Sequence, residues 1–282
     1  MELPAARRLR QEDQSALRAL LREDEDVNLF LLAALSGWGI EGNAGARWWG
    51  VGTRARLLGA TWIGRPFPDP GPMVPAGLAV PYGQPEASQA VGAALVSSGG
   101  PRMVIGPRAE SDALWEGLGW PRPRIWYDQR LYLCRAVLPG KRLPLRRARL
   151  DELERVAELA ARMMAEDLGK DPREEDAADH LRRTRDRIQT GRTLVSVEGG
   201  EIVFKLDVGS QSGMGTQVGG TWVPPHRRGE GLATAGMRAA CELLLPHSPR
   251  VTLHVNEANT PAVRSYLSAG FVPTSPFRLA SL

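Results

Sequence analysis

The residues best suited to chemistry lie in a glycine-rich turn near the C-terminal end of the chain. Arg228 is followed by Gly229 and Gly231, and a run of good helix formers begins at Leu232. Glycine lets the backbone come close to a ligand, and the first N–H groups of a helix have no intrahelical partner, so they point towards an anion. The turn is therefore a predicted anion site, and a pyrophosphate would suit it.

A second segment of interest begins about thirty residues further on. In it, Asn259 suits a helix N-cap, Pro261 the first turn, and Gly270 the position just after the helix. Tyr266 lies on this predicted helix. By itself, a tyrosine at such a position is more commonly a packing residue than a catalytic one.

Two strands must position these segments. The first halts at Pro224 and Pro225, because proline cannot donate a hydrogen bond to a sheet ladder. The second covers residues 250–256 and runs directly into the Asn259 segment. The predicted order is strand, anion-binding turn, helix, strand and capped helix.

Together the two segments resemble the GCN5-related N-acetyltransferases, the GNAT family. The stretch 228–233 fits the family signature R/Q-x-x-G-x-G/A. The later segment fits N-x-x-A-x-x-x-Y-x-x-x-G-F, with five residues in register: Asn259, Ala262, Tyr266, Gly270 and Phe271. Two signatures in the expected order are more specific than either alone. The resemblance covers roughly residues 143–282 and is strongest over 218–271.

The resemblance implies that acetyl-CoA enters a V-shaped split between the strand ending at Val223 and the strand at 253–256. It also implies an acetyl transfer to a primary amine of a small molecule or peptide by direct attack on the thioester. Tyr266 would protonate the leaving thiolate. The implied cofactor-binding residues are Trp222, Val223, Arg228, Gly229, Gly231, Leu232, Ala233 and Asn259.

The sequence leaves the general base open. The strand 216–221 has no carboxylate, where many relatives place a glutamate. The candidates are Glu257, His254 and Asp207, or a water held by the backbone and Asn256. His254 alternates away from its apolar neighbours and could face the cleft, although a strand histidine is more commonly structural or exposed.

The resemblance implies that the acceptor pocket involves residues 165–175 and a flexible loop at 209–215, and it leaves a contribution of the neighbouring domain open. Acidic side chains in and near residues 165–175 could attract a cationic amine. Such a run of acidic residues is more commonly a solvated helix end. The residues are Glu166, Asp167, Asp171, Glu174 and Glu175. The other histidines are expected away from the chemistry: His180 and His247 on the surface, and His226 facing solvent or beside the phosphates.

The predicted fold class is α+β, with tandem GNAT-like domains that each have a mixed central sheet flanked by helices. The cluster of proline, glycine and basic residues at 139–144 predicts a boundary that divides the chain into residues 1–140 and 141–282. Landmarks repeated at a spacing of about 140 residues favour a duplication, although any two α+β domains could share them. After Pro81 the chain has no arginine and too few glycines to cradle phosphate, so the first half is predicted to be a degenerate copy.

Local patterns predict most elements directly. Hairpins are expected at 47–52 with 56–63 and at 193–198 with 201–208, and a proline-rich loop at 66–72. A strand is expected at 145–149, and helices are expected at 11–22, 27–35, 86–96, 110–118, from Asp151 onwards, and at 173–187.

Composition sets the remaining expectations. The 282 residues carry a formal charge of +4, and 43% of them are hydrophobic. We expect a cytoplasmic monomer or homodimer that binds neither nucleic acid nor membrane, because the basic residues are scattered and the N-terminus lacks an apolar secretory core. The two cysteines indicate neither a disulfide framework nor a metal site. The alternative function is a non-catalytic acyl-CoA-binding sensor or interaction module.

Overall fold

One order of secondary-structure elements occurs twice along the chain. In the computed structural model, residues 4–41, 46–64, 77–98, 100–169 and 171–282 are described. The elements of the first half are β1 (Arg7–Arg8), α1 (Gln14–Leu21), α2 (Leu29–Trp38), β2 (Arg47–Gly52), β3 (Leu57–Gly64), β4 (Leu78–Gly83), α3 (Pro85–Leu95), β5 (Met103–Pro107), α4 (Arg108–Gly117) and β6 (Ile125–Cys134).

The second half repeats this order. Its elements are β7 (Arg146–Arg147), α5 (Leu153–Leu168), α6 (Pro172–Gln189), β8 (Thr193–Glu198), β9 (Glu201–Ser212), β10 (Gly215–Trp222), α7 (Leu232–Leu244), β11 (Val251–Asn256), α8 (Thr260–Ala269) and β12 (Val272–Ser281).

Each half begins with the same ion pair. Arg7 binds the Asp13 carboxylate at 2.6 Å, and Arg146 binds the Glu152 carboxylate at 2.6 Å, six residues later in both cases. Each carboxylate also accepts a hydrogen bond from the backbone N–H three residues before it, at 2.9 Å. Both acidic side chains are almost fully buried. The repeat therefore extends to individual side-chain contacts.

The twelve strands of the described residues form one sheet, and the two halves exchange their last strands. The order is β1-β2-β3-β4-β5-β12-β6-β11-β10-β9-β8-β7. β6, from the first half, pairs with β11 of the second, and β12, from the second half, pairs with β5 of the first. The two exchanged strands also pair with each other in the middle of the sheet.

A buried arginine crosses this central join. Arg278 on β12 binds Asp112 of α4 at 2.7 Å and also binds Asp128 of β6. Its guanidinium lies over the Trp126 ring at 4.4 Å. A charge-assisted network of this kind fixes geometry as well as adding energy, so the exchanged strand is held by side chains as well as by its ladder.

Helices cover both faces of the sheet, and strand alternation decides which side chains meet them. In the first half, α1 and α2 pack on the face that presents Leu78 and Val80, while α3 and α4 pack on the face of Ala79. In the second half, α7 and α8 cover Leu253 and Val255. The opposite face of the second half is covered by α5 and α6 around Val195.

Most predicted elements are confirmed, with two corrections. The predicted flexible loop at 209–215 is wrong: β9 runs to Ser212 and β10 starts at Gly215, because these residues pair with each other as the end of a long hairpin. The strand expected at 145–149 is reduced to Arg146–Arg147. The proline-rich loop predicted at 66–72 lies outside the described residues, and the division of the chain at 140/141 stays a prediction.

Cys134 and Cys241 are both buried free thiols. Among the described helices, none has the length and apolar character to cross a bilayer. No cluster of metal-ligating side chains occurs within the described ranges.

Candidate active site

The parallel strands β10 and β11 separate soon after they meet. Across the described residues, they are paired only at Thr216 with Val251 and at Gln217 with Thr252. Beyond these two pairs, β10 continues to Trp222 and is paired with β9, while β11 continues to Asn256 and is paired with β6. The edge of β10 that faces β11 is therefore unpaired over 218–222, which leaves a V-shaped gap lined by backbone N–H and C=O groups.

A bulge shapes the β10 side of the gap. The register of β10 on β9 shifts between Gly219 and Trp222, and Gly220 has φ +60°. The buried Lys205 ammonium donates to the Gly220 carbonyl at 3.2 Å and to the Asp207 carboxylate. A Cβ at position 220 would lie 2.6 Å from an Asp207 oxygen, so glycine is required there.

The start of α7 provides a concentration of free backbone donors. Gly229 and Gly231 have φ values of +85° and +75°, and a Cβ added at either would meet nothing within 4 Å. The helix has no side-chain cap, and Ala235 N–H makes its first bond, to the Gly231 carbonyl. The N–H groups of residues 232–234 therefore have no helix carbonyl to pair with. An open glycine turn with unpaired donors at a positive helix end fits a pyrophosphate.

Arg228 stands beside this helix start. Its guanidinium lies 4.7 Å from the centre of the Trp222 ring and donates to the Val223 carbonyl at 3.2 Å. It also binds the Glu166 carboxylate, from α5, at 2.8 Å. Trp222 itself is buried against Met163 and Met164. The arginine is thus held between the end of β10 and the end of α5.

Tyr266 reaches the same edge of the gap from α8. Its side chain is buried, hydrogen bonds with the Thr221 side chain, and packs on Phe271 at 6.0 Å between ring centres. Burial raises the pKa of the phenol to about 12, because the charged phenolate would lose its solvation. The group therefore carries its proton at neutral pH, as a general acid must.

The two asparagines of the site hold its local backbone. The Asn259 side chain accepts a hydrogen bond from Ala262 N–H at 3.2 Å and caps α8, as predicted. The Asn256 side chain accepts from Ala258 N–H at 3.0 Å. These two side chains fix the turn that connects β11 to α8, and they bring Tyr266 into place.

Two of the candidate bases are engaged by cations. The Glu257 carboxylate binds Arg130 at 2.7 Å and Arg108 at 3.0 Å. Asp207 is buried between the Lys205 ammonium and the Thr193 hydroxyl, and the lysine charge lowers its pKa despite burial. Both carboxylates are therefore already occupied by donors within the chain.

His254 differs from these carboxylates. Its ring packs on Phe277 at 4.4 Å, and its Nε2 has no hydrogen-bond partner among the described residues. Burial lowers the pKa of the imidazole to about 4, which keeps it neutral at physiological pH. A neutral imidazole with a free nitrogen can accept a hydrogen bond, and the lowered pKa makes it a weak proton acceptor.

The remaining histidines are mostly where the sequence predicts them. His226 and His247 are exposed, and His226 lies 2.9 Å from Glu201. The prediction that His180 lies on the surface is wrong: its side chain is 4% exposed, and its Nε2 contacts the Ala157 carbonyl at 2.8 Å. It joins α6 to α5, and the abundant charges on α6 conceal this buried position in the sequence.

The acidic run serves several separate purposes. Glu166 pairs with Arg228, while Asp171 caps α6 and pairs with Arg173 at 2.6 Å. These contacts lower the pKa of Asp171 to about 2, chiefly through hydrogen bonds from Arg173. At least these two carboxylates are therefore engaged within the chain.

A cavity of about 270 Å³ lies beside the split, between α2 and the centre of the sheet. His254 and the last shared rung, Gln217 with Thr252, form part of its wall. The sequence leaves a contribution of the neighbouring domain to the acceptor pocket open, but it does not single out α2. The sequence feature that could have indicated this role is the apolar character of α2 on most sides, because such a helix must be covered on more than one face.

A family model for acetyltransferases of the GNAT family matches residues 157–271. The sequence has no significant match among curated proteins. The segment matched by the family model contains β10, the α7 turn, β11 and Tyr266, which are the parts that form the split.

Solved structures share the fold of the whole chain. A GCN5-related N-acetyltransferase from Sphaerobacter thermophilus is 18% identical with TM-score 0.61, and covers 98% of this chain and 94% of its own. A GNAT-family acetyltransferase from Colwellia psychrerythraea is 14% identical with TM-score 0.54, and the match covers 98% of this chain and 99% of that protein. A tandem GNAT protein from the clavulanic acid biosynthesis pathway is 15% identical with TM-score 0.55, and the match covers 100% of this chain and 98% of that protein.

At these identities the structural likeness establishes the fold, and the family model adds the sequence signatures. Residues 157–271 therefore belong to the acetyltransferase (GNAT) family, within a chain that has the fold of a tandem GNAT protein.

Proposed function

We propose that the second half of the chain transfers an acetyl group from acetyl-CoA to a primary amine of a small molecule or peptide. The observation that carries this proposal is the unpaired edge of β10 over 218–222, which leads directly to the uncapped start of α7. A sheet edge suits an extended amide-containing arm, and a helix start suits a pyrophosphate. CoA has both groups in this order.

The residues assigned to the donor follow from this arrangement. Backbone groups of Trp222 and Val223 would bind the pantetheine arm, and the α7 turn would bind the phosphates, with a further charge from Arg228. Asn259 contributes by capping α8 beside the split. Its place in the donor site is thus a supporting one.

The chemistry requires a proton donor and a proton acceptor. Bound acetyl-CoA would supply the activated acyl group. The Tyr266 phenol holds its proton beside Thr221, from where it can be given to a leaving thiolate. We assign the hydrogen-bond partner of the attacking amine to His254 rather than to Glu257, because the Glu257 carboxylate is bound by two arginines and His254 Nε2 is free of partners among the described residues. The amine proton then passes to water, since an imidazole with a pKa of about 4 is a weak base.

We propose a supporting role for the first half. Among the residues that the structure describes, β4 and β5 also share only two rungs. However, α3 begins at Pro85, which has no N–H, and continues with Glu86, whose charge repels an anion. The features that favour phosphate at α7 are thus missing at this helix start. The first half instead supplies α2, which covers the cavity beside the second split.

The test measures binding and turnover separately. Calorimetry should detect acetyl-CoA binding, and a thiol assay should detect CoA release when amines of different size and polarity are added. Binding without turnover on any amine would support the non-catalytic sensor instead. Failure to bind acetyl-CoA at all would show that the split has been misinterpreted.

A further inference from the structure

The cavity under α2 has a strongly asymmetric lining. Its inner part is apolar and comes largely from the first half of the chain, with Phe30 and Trp38 of α2 above Val80 and Ile105 of the sheet. The Phe30 and Trp38 rings both pack on Trp62, at 5.1 and 6.1 Å between centres. Aromatic walls of this kind favour an apolar or aromatic ligand body.

The other end of the cavity is polar and lies at the split. Gln211, Gln217, Thr252 and His254 form this end. Gln217 and Thr252 are the last paired residues before β10 and β11 separate. A ligand that places a polar group here presents it at the vertex of the split.

The cavity is elongated across the sheet. Its wall includes Ile105 of β5 and Gln217 of β10, and these strands are four positions apart in the sheet order. Four strand spacings amount to about 19 Å. The cavity therefore has room for an apolar body beside a polar group placed at the vertex of the split.

The charges near the cavity do not favour a polycation. The carboxylate in its wall, Asp26, is bound by Arg250 and by Arg135 at 3.0 Å. Arg192 also lies in the wall, where its guanidinium donates to the Gly209 carbonyl. A ligand with several ammonium groups would meet this arginine without an unpaired carboxylate in the wall to offset it.

His254 is the polar side chain placed to meet the amine. It stands two residues beyond the last rung, and its ring is held on one side by Phe277. Its Nε2 is buried and has no partner among the described residues, although a buried polar atom normally has one. An amine N–H in the cavity would provide that partner.

We infer that this cavity is the acceptor site and that it selects a primary amine carried on a compact apolar or aromatic body, such as an arylalkylamine, with the amine hydrogen-bonded to His254. The inference rests on the proposed acetyl transfer and specifies its acceptor class. Affinity comes from burying the apolar body, not from pairing a cation with carboxylates.

The test compares acceptors and cavity variants. Phenethylamine and hexylamine should have kcat/KM values at least about ten-fold above those of spermidine and ethanolamine. Ala33 and Gly37 line the cavity one helical turn apart on α2, and a Cβ at Gly37 would meet nothing within 4 Å. Ala33→Leu should therefore fill the cavity, and Gly37→Leu, at an exposed position of its rim, should narrow its opening. Both variants should raise KM for phenethylamine about ten-fold and leave acetyl-CoA affinity unchanged.

The control is Ser36→Leu, the same residue introduced at an exposed position of the same helix that does not line the cavity. It should leave KM unchanged. Thermal unfolding should show that all three variants fold. Gly37→Leu removes a poor helix former, which favours folding.

Binding of phenethylamine to the CoA-saturated protein gives a second readout that does not need turnover. If no amine is acetylated but phenethylamine binds the wild type and not the two cavity variants, the proposed activity fails and the cavity assignment stands. Equal kcat/KM for phenethylamine and spermidine would overturn the inference. So would cavity variants that bind phenethylamine as tightly as the wild type.

Discussion

The carboxylate of Glu166 lies 2.8 Å from the guanidinium of Arg228, so the side chain proposed to meet phosphate already has an anionic partner on α5. Both side chains are 46% exposed, and solvent weakens such a pair. A phosphate group arriving at the α7 turn would compete with this carboxylate for the same arginine.

Removing the competing anion should strengthen donor binding. For Glu166→Gln we expect the Kd for acetyl-CoA to fall by about two- to five-fold, in line with the modest energy of an exposed ion pair. Calorimetry measures the change directly. Glu158→Gln removes another exposed carboxylate of α5, which pairs with Arg162, and should have no effect. A weaker Kd in Glu166→Gln would mean that the glutamate positions Arg228 instead of competing for it.

Reversing the charge of Arg228 should have the opposite effect. Arg228→Glu places a negative charge beside the phosphates and should weaken acetyl-CoA binding by about ten-fold or more. Arg228→Gln, which only removes the charge, should give an intermediate Kd. Because backbone N–H groups provide most of the proposed phosphate contacts, neither variant should abolish binding. Equal Kd values in all three proteins would remove Arg228 from the donor site.

Tyr266→Phe should separate catalysis from binding. We expect kcat to fall by about 10²- to 10⁴-fold, the usual contribution of a general acid, with acetyl-CoA affinity unchanged. Steady-state kinetics and calorimetry on the same preparation test both expectations. Thr221→Val, which removes the phenol's hydrogen-bond partner but keeps the phenol, should lower kcat less. A fully active Tyr266→Phe enzyme would leave the tyrosine a packing role only.

The same tyrosine should shape the alkaline side of the pH profile. Burial raises the pKa of Tyr266 from its ordinary 10.0 to about 12. The phenol therefore keeps its proton until the pH approaches 12, and kcat at saturating substrates should not decline between about pH 9 and 10.5 on its account. A half-loss of kcat near pH 10 that is absent from Tyr266→Phe would show that the phenol titrates normally.

The repeated Arg–carboxylate pairs should support stability equally in both halves. Hydrogen bonds from Arg7 and Arg146 are the main cause that lowers the pKa of Asp13 and Glu152 to about 2. Stability from a lowered carboxyl pKa is fully present above its unfolded value, near 4, and is lost as pH falls towards 2.

Asp13→Asn and Glu152→Gln should each reduce the free energy of unfolding at pH 7 by about 1–3 kcal/mol, and by less near pH 2.5. Urea denaturation at the two pH values measures this. Asp151→Asn changes an exposed neighbour and should be near neutral. A constant loss at both pH values would show that charge is not the reason for the stabilisation.

The sequence predicts local features of this fold well. The hairpin at β8 and β9, the α7 turn and the cap at Asn259 depend on neighbouring residues, and all three are confirmed. The family resemblance of the second half is also confirmed over 157–271.

Contacts between distant residues escape such reasoning. Glu257 meets Arg130 and Arg108, which are more than a hundred positions away, and no local pattern indicates that pairing. The cavity wall likewise combines α2 with His254 of β11. The exchange of β6 and β12 is equally non-local, since each strand alternates normally and gives no sign of its partner.

The exchanged strands have a consequence for how the protein is made. Because β12 lies against β5, the first half of the chain cannot complete its sheet until β12 has left the ribosome. Synthesis proceeds at about 5–20 residues per second, so the N-terminal half waits many seconds with the edge of β5 uncovered. A chain cut before Val272 would leave that edge and one side of β6 without a partner, so loss of β12 would impair both halves at once.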